Sequence, residues 1–200
     1  MTDWGVHLID IVVWGMQAKY PHKVMSSGGN FAYPNSAMET PDTQQAIYEF
    51  DGFSMIWELP VSMGLGPFQR GHGIAFIDNN GTLVVDRSKW EVFPEKERSQ
   101  AGLRNKLDPP ATRQASPEAR GLPQHTANFI DCMRSRATPR CDVRTASPAA
   151  VNAHSGNIAL RTSATLDWDA EQTRFKSNRH ANALLVPDYR RPWKLPDLPG

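Results

Sequence analysis

The stretch Asp3-Trp4-Gly5-Val6-His7-Leu8-Ile9-Asp10-Ile11-Val12-Val13-Trp14 decides how this chain is read. Residues three and four apart share a helix face, so Asp3, His7, Asp10 and Trp14 fall on one line. Val6, Leu8, Ile9, Ile11, Val12 and Val13 cover the other sides, which predicts a buried helix. A charge buried without a partner costs several kcal/mol, so the polar line is expected to border a wet cleft.

An imidazole beside a carboxylate is equipped to take a proton from a hydroxyl group. His7 is the candidate base and Asp3 the group that orients it. Asp3 stands at the start of the helix, where the dipole favours its ionised form. Two other readings of the same residues stand beside this one. The line could be a narrow polar face turned to solvent. It could also ligate Zn²⁺ or Mn²⁺, although the sequence offers no second ligand cluster.

Working outward, the composition is that of a globular protein. Of 200 residues, 40% are apolar and 22% charged, with a net charge of +1. That balance leaves no electrostatic footprint for nucleic acid or an anionic membrane. The sixteen prolines argue for turns and ordered loops against a helical bundle. Cys132 and Cys141 lack metal-type spacing and read as free thiols in a reducing, cytoplasmic compartment, with a disulfide as the alternative. The apolar stretch Val6–Met16 is too short to span a bilayer and is broken by His7 and Asp10. The chain enters its first helix almost at Met1, where a domain ordinarily has a lead-in, so further sequence upstream is expected.

Downstream, strands are expected at Lys23–Phe31, Gln44–Phe50 and Phe53–Met63, the last two joined at Asp51-Gly52. Gly28-Gly29 should weaken the first strand or mark a bulge. A second hairpin turns at Asn79-Asn80-Gly81 between Gly73–Asp78 and Thr82–Arg87, and Trp90–Phe93 adds a short piece. Together these make one antiparallel meander of about six strands. Residues 95–121 read as a long exposed loop. A helix follows over Pro123–Arg136, and another starts with Ser147 as cap and Pro148 at its first position, ending near Thr162. Thr165–Trp168 is a strand, Ala181–Val186 a short helical piece, and 187–200 an extended tail. The fold class is α+β: one domain over 1–200, with an open, mainly antiparallel sheet and helices on one face.

Other candidates carry less chemistry. Gly64–Gly73 is glycine-rich, but Pro67 removes a donor and the loop leads into a strand, so it is no phosphate cradle. Arg70 and His72 on it could reach a polar ligand. Trp4 and Trp14 could wall a sugar-sized pocket or simply pack in the core. His125, His154 and His180 read as ordinary core or surface histidines.

Asp3-Trp4-Gly5-Val6-His7-Leu8-Ile9-Asp10 resembles the D-x-G-x-H-x-x-D helix of the Gfo/Idh/MocA oxidoreductases, the family of glucose–fructose oxidoreductase and inositol dehydrogenase. Gly73-Ile74-Ala75-Phe76 through Asn80-Gly81-Thr82-Leu83 resembles a hairpin of that family's C-terminal sheet. Asn128-Phe129-Ile130-Asp131-Cys132 resembles its later N-F-L-D-C helix, and Ala181-Asn182 with Tyr189-Arg190-Arg191-Pro192-Trp193 resembles its ending. The resemblance implies a substrate domain whose cofactor half is absent, together with the lysine of the family's E-K-P motif. It implies His7 as base and Asp3 as orienting acid, with Asp10 structural. Trp14, Arg70 and His72 are the expected substrate contacts. It implies NAD(H) or NADP(H) held by a Rossmann module in cis or trans, none bound by this chain alone, and no metal. It further implies a sugar or polyol ligand and a homo-oligomer built through the sheet face. A non-catalytic sugar-binding or oligomerisation domain is the alternative, and a metal-dependent hydrolase or isomerase with Asp3 and His7 as ligands the third.

Overall fold

The computed structural model describes residues 1–108, 113–114 and 121–194. In chain order the elements are α1 (Trp4–Gly15), β1 (Lys23–Gly29), β2 (Thr43–Phe50), β3 (Phe53–Pro60), β4 (Ile74–Asp78), β5 (Gly81–Val85) and β6 (Lys89–Pro94). Then come β7 (Lys96–Ser99), β8 (Gly102–Asn105), β9 (Arg113–Gln114), α2 (Gly121–Ser135), α3 (Val143–Thr162), β10 (Leu166–Asp169), β11 (Arg174–Phe175) and α4 (Arg179–Ala183).

The α+β class holds, and the described strand pairs are antiparallel. The expected single meander does not. The strands form a five-stranded sheet in the order β11-β10-β1-β2-β3, a four-stranded sheet β4-β5-β6-β9 and the two-stranded ribbon β7-β8. The break falls after Pro60. The connection to β4 carries Gly64, Gly66 and Pro67, and Phe68 and Gln69 take positive φ, so the chain leaves the first sheet before it re-forms strand. The ribbon lies inside 95–121, which was expected to be loop. Positions 109–112 and 115–120 of that stretch, and 195–200 of the tail, lie outside the described residues.

Period-two patterning places the core. Ala46, Tyr48 and Phe50 of β2 and Met55 and Trp57 of β3 are buried on one face. They meet Val24, Leu166, Trp168 and Phe175 from the neighbouring strands. Burying each of the larger side chains contributes about 1.5–3 kcal/mol. Onto this face packs α3, which also contacts α1. Its inward residues are small: Ala149, Asn152, Ala153, Gly156 and Ala159 are buried. Small residues let the helix backbone come close to β2. Gln44 Nε2 donates to the Gly156 carbonyl at 3.4 Å, and Tyr48 Oη donates to Met1 Sδ at 3.1 Å.

Two local expectations change. The α3 cap is Asp142, whose Oδ1 accepts from Thr145 N at 2.8 Å, so the helix starts earlier than Ser147-Pro148 suggested. Pro148 therefore sits inside the helix, giving up one backbone bond in exchange for burial of its ring. Gly28 is not a bulge; the β1–β2 register runs through it, pairing Gly28 with Gln44. Glycine is required because a Cβ there would overlap the Thr43 carbonyl.

The 30–42 loop is pinned by a buried acid. The Asp42 carboxylate accepts from the backbone N–H of Phe31 (3.0 Å), Ala32 (3.1 Å) and Tyr33 (2.7 Å) and from Thr43 Oγ1 (2.8 Å). Burial pushes its pKa up, but these four donors outweigh that and hold it below the usual value. A lowered folded pKa means stability that is present above the ordinary carboxylate pKa of about 4 and is lost as pH falls through the folded value. Urea midpoints are therefore expected to drop below about pH 4. Asp42→Asn should flatten that acid limb while lowering the neutral-pH midpoint; an unchanged limb would contradict this role.

Candidate functional site

Helix α1 buries Gly5, Ile9 and Val13, one side of the helix. The rest is more open than its apolar residues suggested: Trp4 is 50% exposed and Trp14 74%. Of the apolar residues expected to be covered, Ile11 is 37% exposed, so the helix is less buried than expected on that side. One face docks on α3 and the first sheet, and β4 touches the helix at its end, where the Phe76 ring lies against Gly15.

Asp3 and His7 are both exposed and lie on one edge of α1, and Asp10 is half-buried. Asp3 is the N-cap residue, but its side chain makes no capping bond. The carboxylate makes no hydrogen bond among the described residues, and its charge acts on the Met1 amino group. Among the described residues no hydrogen bond or ion pair joins Asp3 or Asp10 to His7. A recess of about 580 Å³ lies by loop residues Ala32–Ser36, Met38 and Val61, and one of about 280 Å³ lies between Ser26–Gly28 and Leu160–Thr165. Neither is lined by the Asp3/His7 edge, nor by Trp14, so the cleft expected beside that edge is not formed by these two recesses. Among the described residues no three His, Cys, Asp or Glu side chains gather as a metal ion needs. Cys132 and Cys141 are free thiols.

The two residues expected from the 64–73 loop are placed differently from each other. His72 comes to α1: its ring packs edge-on against Trp4 at 5.2 Å between centroids. Arg70 does not reach outward. It is 9% exposed, and its guanidinium bonds Asp86 through Nη1 and Glu91 Oε2 through Nη2 at 3.1 Å. Asp86 is further held by Ser88 Oγ (2.6 Å), Ser88 N (2.6 Å) and Lys89 N (2.8 Å). Burial raises the Asp86 pKa, and these donors together with Arg70 pull it well below the carboxylate range. Arg70 thus ties the loop to Asp86, just after β5, and to Glu91 on β6, so any ligand contact from it would use the guanidinium N–H groups that these two carboxylates leave free.

One residue of the site escaped sequence reasoning. Arg87, on the turn after β5, lays its guanidinium over the Trp4 ring, 5.0 Å from the centroid. The edge of α1 therefore gathers Asp3, Trp4 and His7 from the helix with His72 and Arg87 from the second sheet. Nothing in the local sequence joins Trp4 to Arg87; only the docking of that sheet beside α1 does.

Among the described residues no strand–glycine-turn–helix unit is present. No helix among them is long and apolar enough to cross a membrane.

No protein-family model matches the chain, and no curated protein matches it in sequence. Solved structures do. An oxidoreductase from Agrobacterium radiobacter, in complex with NAD⁺, L-tartaric acid and magnesium, is 14% identical with a TM-score of 0.53, covering 82% of this chain and 48% of that one. A provisionally assigned oxidoreductase from Klebsiella pneumoniae is 11% identical with a TM-score of 0.55, covering 90% and 51%. One from Thermotoga maritima is 13% identical with a TM-score of 0.53, covering 82% and 46%. The chain spans about half the length of the structures it matches and shares the fold of that half of these oxidoreductases.

Proposed function

We propose that the chain is the substrate-binding and proton-transfer half of an NAD(P)-dependent oxidoreductase of the Gfo/Idh/MocA kind, acting on a CH–OH group of a sugar or polyol. The carrying observation is the α1 edge, where Asp3 and His7 stand exposed and unspent beside Trp4, His72 and Arg87. His7 accepts the hydroxyl proton through an imidazole nitrogen. Asp3, one turn away, orients the ring and stabilises its charged form. Trp4 and His72 offer ring faces and edges to the C–H surface of a sugar. Trp14, three turns along the same line, extends the contact. A dinucleotide on a separate module supplies the hydride acceptor. That module would also cover the open side of α1. The Agrobacterium radiobacter structure holds NAD⁺ and L-tartaric acid, a hydroxylated small molecule, which supports the reading. Calorimetric titration of the chain with myo-inositol, D-glucitol and D-glucose tests it. Binding of at least one at millimolar concentration is expected; no heat from any would contradict it.

The alternative role in assembly has its own observation. On the solvent face of the first sheet Met25, Ile47 and Ile56 pair across three strands in register. Ile56 is 69% exposed. The row is flanked by Gln45 bonded to Glu58 at 3.3 Å and Lys23 near Glu49 at 3.7 Å. An apolar stripe with a polar rim is the anatomy of an interface. We propose a homo-oligomer through this face. Ile56→Lys is expected to shift the sedimentation coefficient to that of a monomer; an unchanged coefficient, or a wild-type monomer, would contradict it.

A further inference from the structure

We propose that Arg87 is the anion-recognising, specificity-determining residue of this site, so that its substrate is a sugar or polyol bearing a carboxylate. The inference rests on the reading of the α1 edge given above and adds the substrate class to it.

The charges around Arg87 are nearly all accounted for. Asp86 and Glu91 are matched by Arg70, and Glu91 also has Lys89 Nζ at 3.6 Å. Two carboxylates thus face two cations. Arg87 follows Asp86 and lies over Trp4 instead. Among the described residues it makes no ion pair, so it carries the one unmatched charge of the cluster.

Its geometry suits recognition. A guanidinium over an indole is held by cation–π attraction, which uses none of its N–H donors. Their fork matches a carboxylate through two parallel hydrogen bonds. The attraction to Trp4 restrains the side chain beforehand, so less side-chain freedom is lost on binding. His72, packed against the same indole, adds a second ring at the position. His7 stands three residues from Trp4, on the neighbouring turn of the same face. An acid group on Arg87 therefore sets the adjoining hydroxylated carbons over the proposed base. The unmatched charge is single, and Asp3 and Asp10 lie along the helix. A monoanionic carboxylate fits that balance better than a phosphate, which carries close to two charges.

Titration of the intact chain at low salt with D-gluconate, D-glucitol and D-glucose 6-phosphate tests the assignment. D-gluconate is expected to bind roughly 10- to 100-fold tighter than D-glucitol, the gain of a charge-assisted bidentate contact. Arg87→Gln should abolish that preference and Arg87→Lys should restore only part of it. Lys176→Gln, the same charge change elsewhere, should leave it intact. Equal affinity for D-gluconate and D-glucitol, a preference surviving Arg87→Gln, or tighter binding of the phosphate would overturn the inference while leaving the α1 site standing. Failure of all three to bind would instead overturn the site itself.

Discussion

Replacing His7 by Gln is expected to lower kcat for NAD(P)⁺-linked oxidation of the polyol roughly 10²- to 10⁴-fold, the usual contribution of a positioned general base. On the function proposed above, the measurement is made with the chain joined to a dinucleotide-binding module. Glutamine keeps the size and hydrogen bonding of the imidazole but cannot take a proton at neutral pH. The loss should therefore fall on kcat, with KM changed little. Asp3→Asn should cost less, because Asp3 acts through His7 and Asn can still accept a hydrogen bond from the ring. Equal kcat in wild type and His7→Gln would mean that the helix edge handles no proton.

The second large effect is on stability and sits behind the site. Gly156→Ala should destabilise the fold by about 2 kcal/mol, within the usual range for an overpacked core. A Cβ at Gly156 would overlap Tyr48 Oη and stand 2.9 Å from Met1 Sδ. Tyr48 is fully buried and is fixed on β2 between β1 and β3, so it cannot yield without moving the sheet. Alanine gains about 1 kcal/mol of helix propensity over glycine, which offsets only part of the clash. For a chain of this size a net loss of that order lowers Tm by about 4–8 °C. Tyr48→Phe in the Gly156→Ala background should recover much of it, by removing the overlapping oxygen. Gly64→Ala, where a Cβ meets nothing within 4 Å, is the control and should shift Tm little. A Gly156→Ala protein as stable as wild type would show that α3 and β2 do not meet as described.

What was legible in the chain was local. Period-two alternation placed Phe53, Met55 and Trp57 on one face, and the core residues Met55 and Trp57 are buried there. Asp51-Gly52 marked its hairpin because Gly52 adopts φ +85°, which most residues avoid. The Asp3/His7 spacing put both on one helix edge. What was not legible depends on contacts between distant segments. The strand β10 returns after α3 to pair with β1, and no short-range signal specifies that. The break after Pro60 turned one meander into two sheets. Arg70 looked available on its glycine-rich loop because its partners, Asp86 and Glu91, lie on other strands. Arg87 looked like an ordinary turn residue until the second sheet docked it on Trp4. The apolar residues flanking the polar line of α1 promised burial, yet Ile11 among them is 37% exposed, because periodicity tells which sides are apolar and not what covers them. The same holds for α2, where Phe129 and Met133 share an apolar side and no residue is buried.

The central claim is that a hydroxylated substrate lies over the Asp3/His7 edge. Long-range ¹H–¹⁵N spectra of the chain resolve each imidazole separately, and titration with the tightest-binding sugar, polyol or sugar acid tests the claim directly. The His7 and His72 ring nitrogens are expected to shift saturably while those of His125, His154 and His180 stay in place. Saturable binding that leaves His7 unmoved would contradict it.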